Sequence, residues 1–101
     1  MRRYGKSYAH PLVVLIFQPN DQSHLRIGVT AGKSVGQAVR RNRAKRLLRA
    51  AMLSLVPDLF PNADILLVAR QPLAQSTLEQ TRSALLSLLQ RAGLMNNSDA
   101  A

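Results

Sequence analysis

The chain has no cysteine and no tryptophan, and its aromatic residues are two tyrosines and two phenylalanines in 101 positions. Without cysteine it forms neither disulfides nor thiolate metal sites, which is compatible with a reducing compartment. With so few rings, its core must be aliphatic. No apolar run approaches the roughly 20 residues that span a bilayer, and no apolar segment of a secretory signal follows the first cations. We therefore expect a cytoplasmic protein.

Acidic residues are also scarce. Five Asp and Glu against 14 Lys and Arg give a formal net charge of +9 and a pI near 11.6. This excess predicts salt-sensitive association with nucleic acid or, as an alternative, with an anionic membrane surface. Because 47% of the residues are hydrophobic and only 19% are charged, we expect one folded domain over residues 1–101 rather than a disordered basic tail.

The sequence offers few groups for hydrolytic chemistry. Cleaving a phosphodiester with side chains usually needs clustered carboxylates that hold metal ions, or a pair of histidines. The acids are scattered, at Asp21, Asp58, Asp64, Glu79 and Asp99. His10 and His24 lie near opposite ends of the first predicted strand, so a hairpin does not bring them together. We predict no catalytic residue and no metal site in the protein itself, which disfavours the alternative of a stand-alone nuclease.

The positive charge is concentrated in the middle of the chain. Seven of the 14 cations lie between Lys33 and Arg49, and no acid occurs between Asp21 and Asp58. The spacing of a buried helix face is followed by Ala44, Leu47, Leu48, Ala51 and Leu55. The other side carries Arg41, Asn42, Lys45, Arg46 and Arg49. A helix buried on one side holds its cations in a fixed array, which favours binding to a phosphate backbone over the alternative of a merely solvated face.

Apolar runs around this helix predict strands. Residues 12–17, between two prolines, are predicted to form a strand buried on both faces. Residues 25–30 read as its antiparallel hairpin partner. Residues 64–69 form a third strand, apolar on both faces, and the helix between the second and third strands predicts a parallel pair. Residues 1–11 are expected to be loose, with tyrosines that either clamp a nucleic-acid strand or cover the core edge.

A second helix is predicted near the carboxyl terminus. Ser76 and Glu79 have the spacing of a capping box. An apolar stripe follows at Leu78, Leu85, Leu88, Leu89 and Ala92. Gly93 suits the residue that ends such a helix. We assign this helix to packing on the sheet, with a partner helix as the alternative, and expect residues 94–101 to be frayed.

The basic stretch resembles the signature of the bacterial ribonuclease P protein component. The matching residues are Lys33, Val35, Gly36, Ala38, Val39, Arg41, Asn42, Arg43, Lys45, Arg46 and Arg49. Residues 26–28 and 64–70 are similar to the flanking strands of that family, so the resemblance covers roughly residues 5–92. Family members usually have a further helix before this region, and the chain resembles a version without it.

The resemblance implies an α+β sandwich, in which a small mixed sheet of three to four strands carries the basic crossover helix and a C-terminal helix. The family's β-α-β crossover is left-handed. The implied function is to bind the catalytic RNA of ribonuclease P and the 5′ leader of precursor tRNA, while the RNA subunit uses Mg²⁺ to cleave. The protein would then be a noncatalytic subunit that binds no cofactor alone, needs no protein partner and contacts no membrane.

The resemblance also assigns residues to these roles. The implied RNA-binding residues are Lys33, Arg40, Arg41, Asn42, Arg43, Lys45, Arg46 and Arg49. The implied leader-binding residues are Ser7, Tyr8, Val14 and Ile16. The chain departs from the family at Ile16, where an aromatic is frequent, at Ser34, where a second lysine is common, and at Ala44, where a larger aliphatic is usual. Another basic module, such as a ribosomal protein or a DNA-binding domain, remains the alternative.

Overall fold

The computed structural model describes residues 6–19, 25–59 and 63–95. Its strands and helices, in chain order, are β1 (Lys6–Ala9), β2 (Val13–Pro19), β3 (Arg26–Ala31), α1 (Ala38–Leu55), β4 (Ala63–Ala69) and α2 (Leu78–Ala92). Single turns of 3-10 helix precede α1 (Lys33–Val35), follow it (Val56–Asp58) and precede α2 (Gln71–Gln75). Asp21, His24 and Asp99 lie outside the described residues.

The strands form one mixed sheet in the order β1-β2-β4-β3. β2 runs antiparallel to both β1 and β4, and β3 runs parallel to β4. The predicted α+β class and the parallel pair joined through the basic helix are therefore confirmed. The chain leaves the carboxyl end of β3 and must return to the opposite end of the sheet before β4 can run parallel to it. α1 makes this return across one face of the sheet.

The predicted hairpin of the second and third apolar runs is wrong. β4 lies between β2 and β3 and pairs with both, so that Leu67 is opposite Leu15 on one side and Val29 on the other. β4 buries four of its side chains, whereas β3 exposes Arg26 and Thr30. The more apolar strand takes the centre and the more polar one the edge, where charged side chains are tolerated.

Both helices cover the same face of the sheet. On β2 the side chains of Val13 and Leu15 are 0% exposed, whereas those of Val14 and Ile16 are half-buried on the outer face, the face turned away from the helices. The prediction that this strand is buried on both faces is therefore wrong. β4 carries apolar residues on both faces, as predicted, and Leu66 on its outer face is 40% exposed. A sheet with one helical layer buries alternate residues.

The predicted buried stripe of α1 is confirmed with one exception. Ala44, Leu48, Ala51 and Leu55 are buried, Leu47 is only half-buried, and Met52 adds a buried side chain that the pattern did not include. α1 ends at Leu55, two residues before Pro57, because a proline disfavours helical geometry in the residue before it. Its apolar side packs on β3, β4 and α2, which fixes the direction in which its cations project.

The cap of α2 is shifted by one residue from the predicted one. Thr77 is the N-cap: its Oγ1 accepts a hydrogen bond from the Gln80 amide at 3.1 Å, and the Gln80 side chain accepts one from the Thr77 amide at 3.0 Å. Ser76 is instead buried, and its hydroxyl donates to the Leu73 carbonyl at 2.8 Å. Gly93 ends the helix in the left-handed conformation (φ 74°), as predicted.

Two segments predicted to be loose are ordered. Residues 6–9 form β1, whose pairing with β2 gives their backbone groups hydrogen-bond partners. Leu94 is buried, and Met95 forms a β-bridge with Leu59. The rest of both termini, residues 1–5 and 96–101, lies outside the described residues. In the described part of the chain, no helix is long and apolar enough to cross a membrane.

Candidate nucleic-acid interface

The outer side of α1 presents a dense set of cations. Arg40, Arg46 and Arg49 are exposed, and Arg41 and Lys45 are half-buried. None of these five makes a salt bridge or a side-chain hydrogen bond to another residue that the structure describes. Unpaired charges on a rigid helix repel one another, so this surface is suited to a partner with closely spaced negative charges.

Arg43 differs from its neighbours. Its Nε donates to the Ala74 carbonyl at 2.8 Å, and its Nη2 lies 3.4 Å from the Ser76 carbonyl oxygen. The side chain thus ties the middle of α1 to the turn that precedes α2. Sequence reasoning assigned Arg43 to RNA alone, because helical spacing does not reveal which side of a helix meets a distant loop.

The start of α1 is electrostatically unusual. Its N-cap, Gln37, makes no side-chain capping hydrogen bond, and its first turn has no acidic residue. The positive end of the helix dipole therefore lies next to Arg40 and Arg41, where an anion would be stabilising. Gly36 precedes this turn at φ 124°, and a Cβ there would lie 2.9 Å from the Arg40 side chain, so the backbone path into α1 requires glycine.

Two further cations lie at one end of the sheet. Lys33 follows β3 and Arg70 follows β4, and these strands are parallel with Ala31 opposite Ala69. Ser34 and Arg70 line the same cavity of about 550 Å³. The predicted RNA-binding residues include Lys33 but not Arg70. The position of Arg70 near Lys33 follows from the topology of the sheet. Parallel neighbouring strands place the residues that follow their carboxyl ends at the same end of the sheet.

The outer face of the sheet brings three of the predicted leader-binding residues together. Ser7 is opposite Ile16 in the β1–β2 pair, and Ile16 is opposite Leu66 in the β2–β4 pair. Val14 lies two residues before Ile16 and pairs with Val68. These neighbours form a surface of mainly aliphatic side chains on the outer face of the sheet.

Tyr8 does not belong to that surface. Its ring stacks on Phe17 with centroids 6.2 Å apart, and the Arg91 guanidinium lies 5.8 Å from its centroid. It is therefore on the helix-covered side, and the alternative that a tyrosine of this segment covers the core edge is the correct one for Tyr8. The alternation of side chains along β1 decides this, since Ser7 and Tyr8 must point to opposite faces.

An ion pair borders the outer face at the start of β3. Arg26 donates to both carboxylate oxygens of Asp64, from Nε at 2.9 Å and from Nη2 at 2.8 Å. The hydrogen bond with Asp64, and then its charge, raise the pKa of Arg26. Arg26 is therefore already paired. Lys33 and Arg70, for which the described part of the chain shows no ion-pair partner, lie at the opposite end of β3 and β4.

The described residues show no clustered groups for metal binding. Among them, no three His, Asp or Glu side chains lie close enough to share a metal ion. His10 is occupied locally, because its Nδ1 accepts a hydrogen bond from the Leu12 amide at 3.1 Å in the turn between β1 and β2.

Comparisons with known proteins agree with the architecture. The Ribonuclease P family model matches residues 1–93. The chain is 39% identical to the ribonuclease P protein component of Oceanobacillus iheyensis over 95 residues, which cover 93% of this chain and 78% of that protein. The RNase P protein of Staphylococcus aureus superposes with a TM-score of 0.79 at 31% identity, covering 91% of this chain and 84% of that one. The RNase P protein from Thermotoga maritima gives 0.77 at 28% identity, with coverages of 86% and 83%.

Proposed function

The chain belongs to the ribonuclease P protein family, and we propose that it binds the catalytic RNA of that ribonucleoprotein through α1 and assists 5′-leader removal from precursor tRNA. The single observation that carries this proposal is the array of five α1 cations that have no partner within residues 6–19, 25–59 and 63–95. The family membership makes the alternative of a ribosomal protein or DNA-binding domain unnecessary.

The energetic role of α1 is to neutralise phosphates that a folded RNA brings close together. Because Leu48 and its neighbours are buried, the cations lose little backbone freedom on binding, and each contact releases condensed counterions. Asn42, which is exposed between Arg41 and Arg43, adds an amide that both donates and accepts hydrogen bonds.

The leader contact is assigned to the outer face of the sheet. Ser7, Val14 and Ile16 supply the surface, while Lys33 and Arg70 stand beyond its end for the phosphates of a single strand. Since Ile16 is aliphatic, it provides an apolar contact to a base rather than ring stacking. The chemical step belongs to the RNA and its Mg²⁺ ions, and the protein contributes affinity and position.

The test compares two pairs of charge-removing substitutions. Lys45→Gln with Arg49→Gln removes two unpaired cations from α1. We expect the slope of log K against log salt for the catalytic RNA to become shallower by about 1.4 to 1.8, or 0.7 to 0.9 for each phosphate contact, with roughly a tenfold or greater loss of affinity near 0.1 M salt. Filter binding between 50 and 200 mM salt measures both quantities.

The matched control is Arg82→Gln with Arg91→Gln, which lowers the net charge equally but on α2. We expect this pair to leave the slope unchanged, and circular dichroism checks that both variants fold. Precursor tRNA cleavage by the catalytic RNA at low Mg²⁺, with and without each variant, tests the consequence for processing. If both pairs reduce RNA binding equally, binding depends on total charge and the assignment to α1 is wrong.

A further inference from the structure

A concavity of about 250 Å³ lies between the basic side of α1 and the start of α2. It is lined by Arg43, Arg46, Leu47, Ala50 and Leu78. Its floor is therefore aliphatic and its rim carries two guanidinium groups. The other residues of the apolar stripe of α1, Ala44, Leu48, Ala51 and Leu55, are buried in the core.

The aliphatic floor is open because the α1 side chain beside Leu78 is a small one, that of Ala50. Leu78 lies seven residues before Leu85 on the same side of α2, yet it is 49% exposed while Leu85 is 0% exposed. The apolar α1 residues that line the concavity with it are the small Ala50 and the half-buried Leu47. The first turn of α2 thus keeps an apolar surface that the fold itself does not cover.

The two arginines at the rim, Arg43 and Arg46, differ in how firmly their side chains are held. Arg43 is fixed by its contacts with the Ala74 and Ser76 carbonyls, and these use only part of the five donors of a guanidinium group. Arg46 is exposed and has no partner among the described residues. The Arg43 side of the concavity is therefore rigid. On the other side, the Arg46 side chain is free to adjust its conformation to a ligand.

We propose that this concavity holds a single unpaired nucleobase of the RNA that α1 binds, with the base on Leu78 and Leu47 and the adjoining phosphate on Arg46. The inference rests on the proposed function. A nucleotide brings a flat apolar surface and a negative charge in one unit, which matches an aliphatic floor with a cationic rim. A base inside a duplex is stacked on both sides, so the ligand must be an extruded nucleotide.

The first experiment removes the apolar contact without changing charge. Leu78→Gln is expected to lower the affinity for the catalytic RNA about fivefold, at the low end of base contacts because the floor has no aromatic ring. The salt slope is expected to stay unchanged. Leu53→Gln is the matched control, since Leu53 is 76% exposed on α1 and lies outside the concavity; its effect is expected to stay below twofold.

The second experiment identifies the ligand. Because the chain has no cysteine, Leu78→Cys creates a unique attachment point for a photoactivatable aryl azide. We expect its cross-link on the catalytic RNA to map to a nucleotide that is unpaired in the RNA secondary structure. Dimethyl sulfate reactivity of that base should fall when wild-type protein binds and recover with Leu78→Gln.

Wild-type affinity of Leu78→Gln, or cross-links confined to paired nucleotides, overturns the inference. The inference would also be overturned if an acidic peptide prevented cross-linking from Leu78→Cys and an excess of unmodified catalytic RNA did not. The two proposals fail separately. If Lys45→Gln with Arg49→Gln changes the salt slope but Leu78→Gln has no effect, only the nucleobase site is wrong. If that α1 pair behaves like its α2 control, the proposed function itself is wrong.

Discussion

The two helices lie side by side on one face of the sheet, yet only α2 is stabilised at both ends by its own sequence. α2 has the capping box of Thr77 and Gln80, an acid in its first turn and a left-handed glycine at its end. α1 has no side-chain cap, no acid in its first turn and no basic residue in its last turn. The helix with the poorer local signals is the one that carries the proposed function.

Their cations differ in the same way. On α2, Arg82 donates to the Ser54 hydroxyl and Arg91 to the Ala9 carbonyl, each at 3.0 Å. Of the α1 cations, Arg43 alone has a hydrogen-bond partner among the residues that the structure describes. The α2 arginines therefore have hydrogen-bond partners within the protein, whereas the closely spaced α1 cations repel one another, which is unfavourable for the fold. Burial of the apolar side of α1 must offset that cost.

The largest effect is expected from breaking this burial. Leu48→Ala should lower the free energy of unfolding by about 2 to 5 kcal/mol, because the side chain is 0% exposed. Urea denaturation monitored by circular dichroism measures the change. Leu53→Ala on the same helix should change it by less than about 0.5 kcal/mol. Equal losses for the two variants would mean that α1 is not held by its apolar side.

A smaller effect is expected where α1 is tied to α2. Arg43→Gln should lower the free energy of unfolding by about 1 to 2 kcal/mol, because two carbonyl oxygens lose a charged donor. Arg41→Gln removes the same charge from a side chain that has no partner in the described ranges. It should leave urea stability nearly unchanged and reduce the salt slope of RNA binding. If both substitutions lower the free energy of unfolding equally, the assignment of Arg43 to stability and of Arg41 to RNA binding is wrong.

The smallest effect on stability is expected when α1 is given an N-cap side chain of the kind that α2 already has. Gln37→Asp should raise the free energy of unfolding by roughly 0.5 to 1 kcal/mol, since an aspartate caps the helix and favours its positive end. The same change should weaken RNA binding, because a carboxylate then lies beside Arg40 and Arg41. Gln37→Asn supplies a neutral cap, so it should stabilise without weakening binding. A loss of RNA affinity with Asn as large as with Asp would refute the electrostatic explanation.

Local patterns predicted the parts of the site that depend on neighbouring residues. The spacing of Ala44, Leu48 and Leu55 identified the buried side of α1 and therefore the side that presents cations. The cap of α2 was placed one residue too early, because Ser76 and Thr77 are both good caps and only the buried hydrogen bond of Ser76 to Leu73 separates them. Such near-degenerate choices are decided by packing.

The sequence by itself determined the helices, their approximate ends, the aliphatic core and the one-sided charge of α1, because each depends on periodicity and on residues a few positions apart. The tertiary structure alone decided that β4 separates β2 from β3, that Tyr8 faces the core while Ser7 does not, and that Arg43 reaches Ala74. These are contacts between residues far apart in the chain. Several pairings satisfy the same local patterns, and only joint burial of the strands and helices selects one.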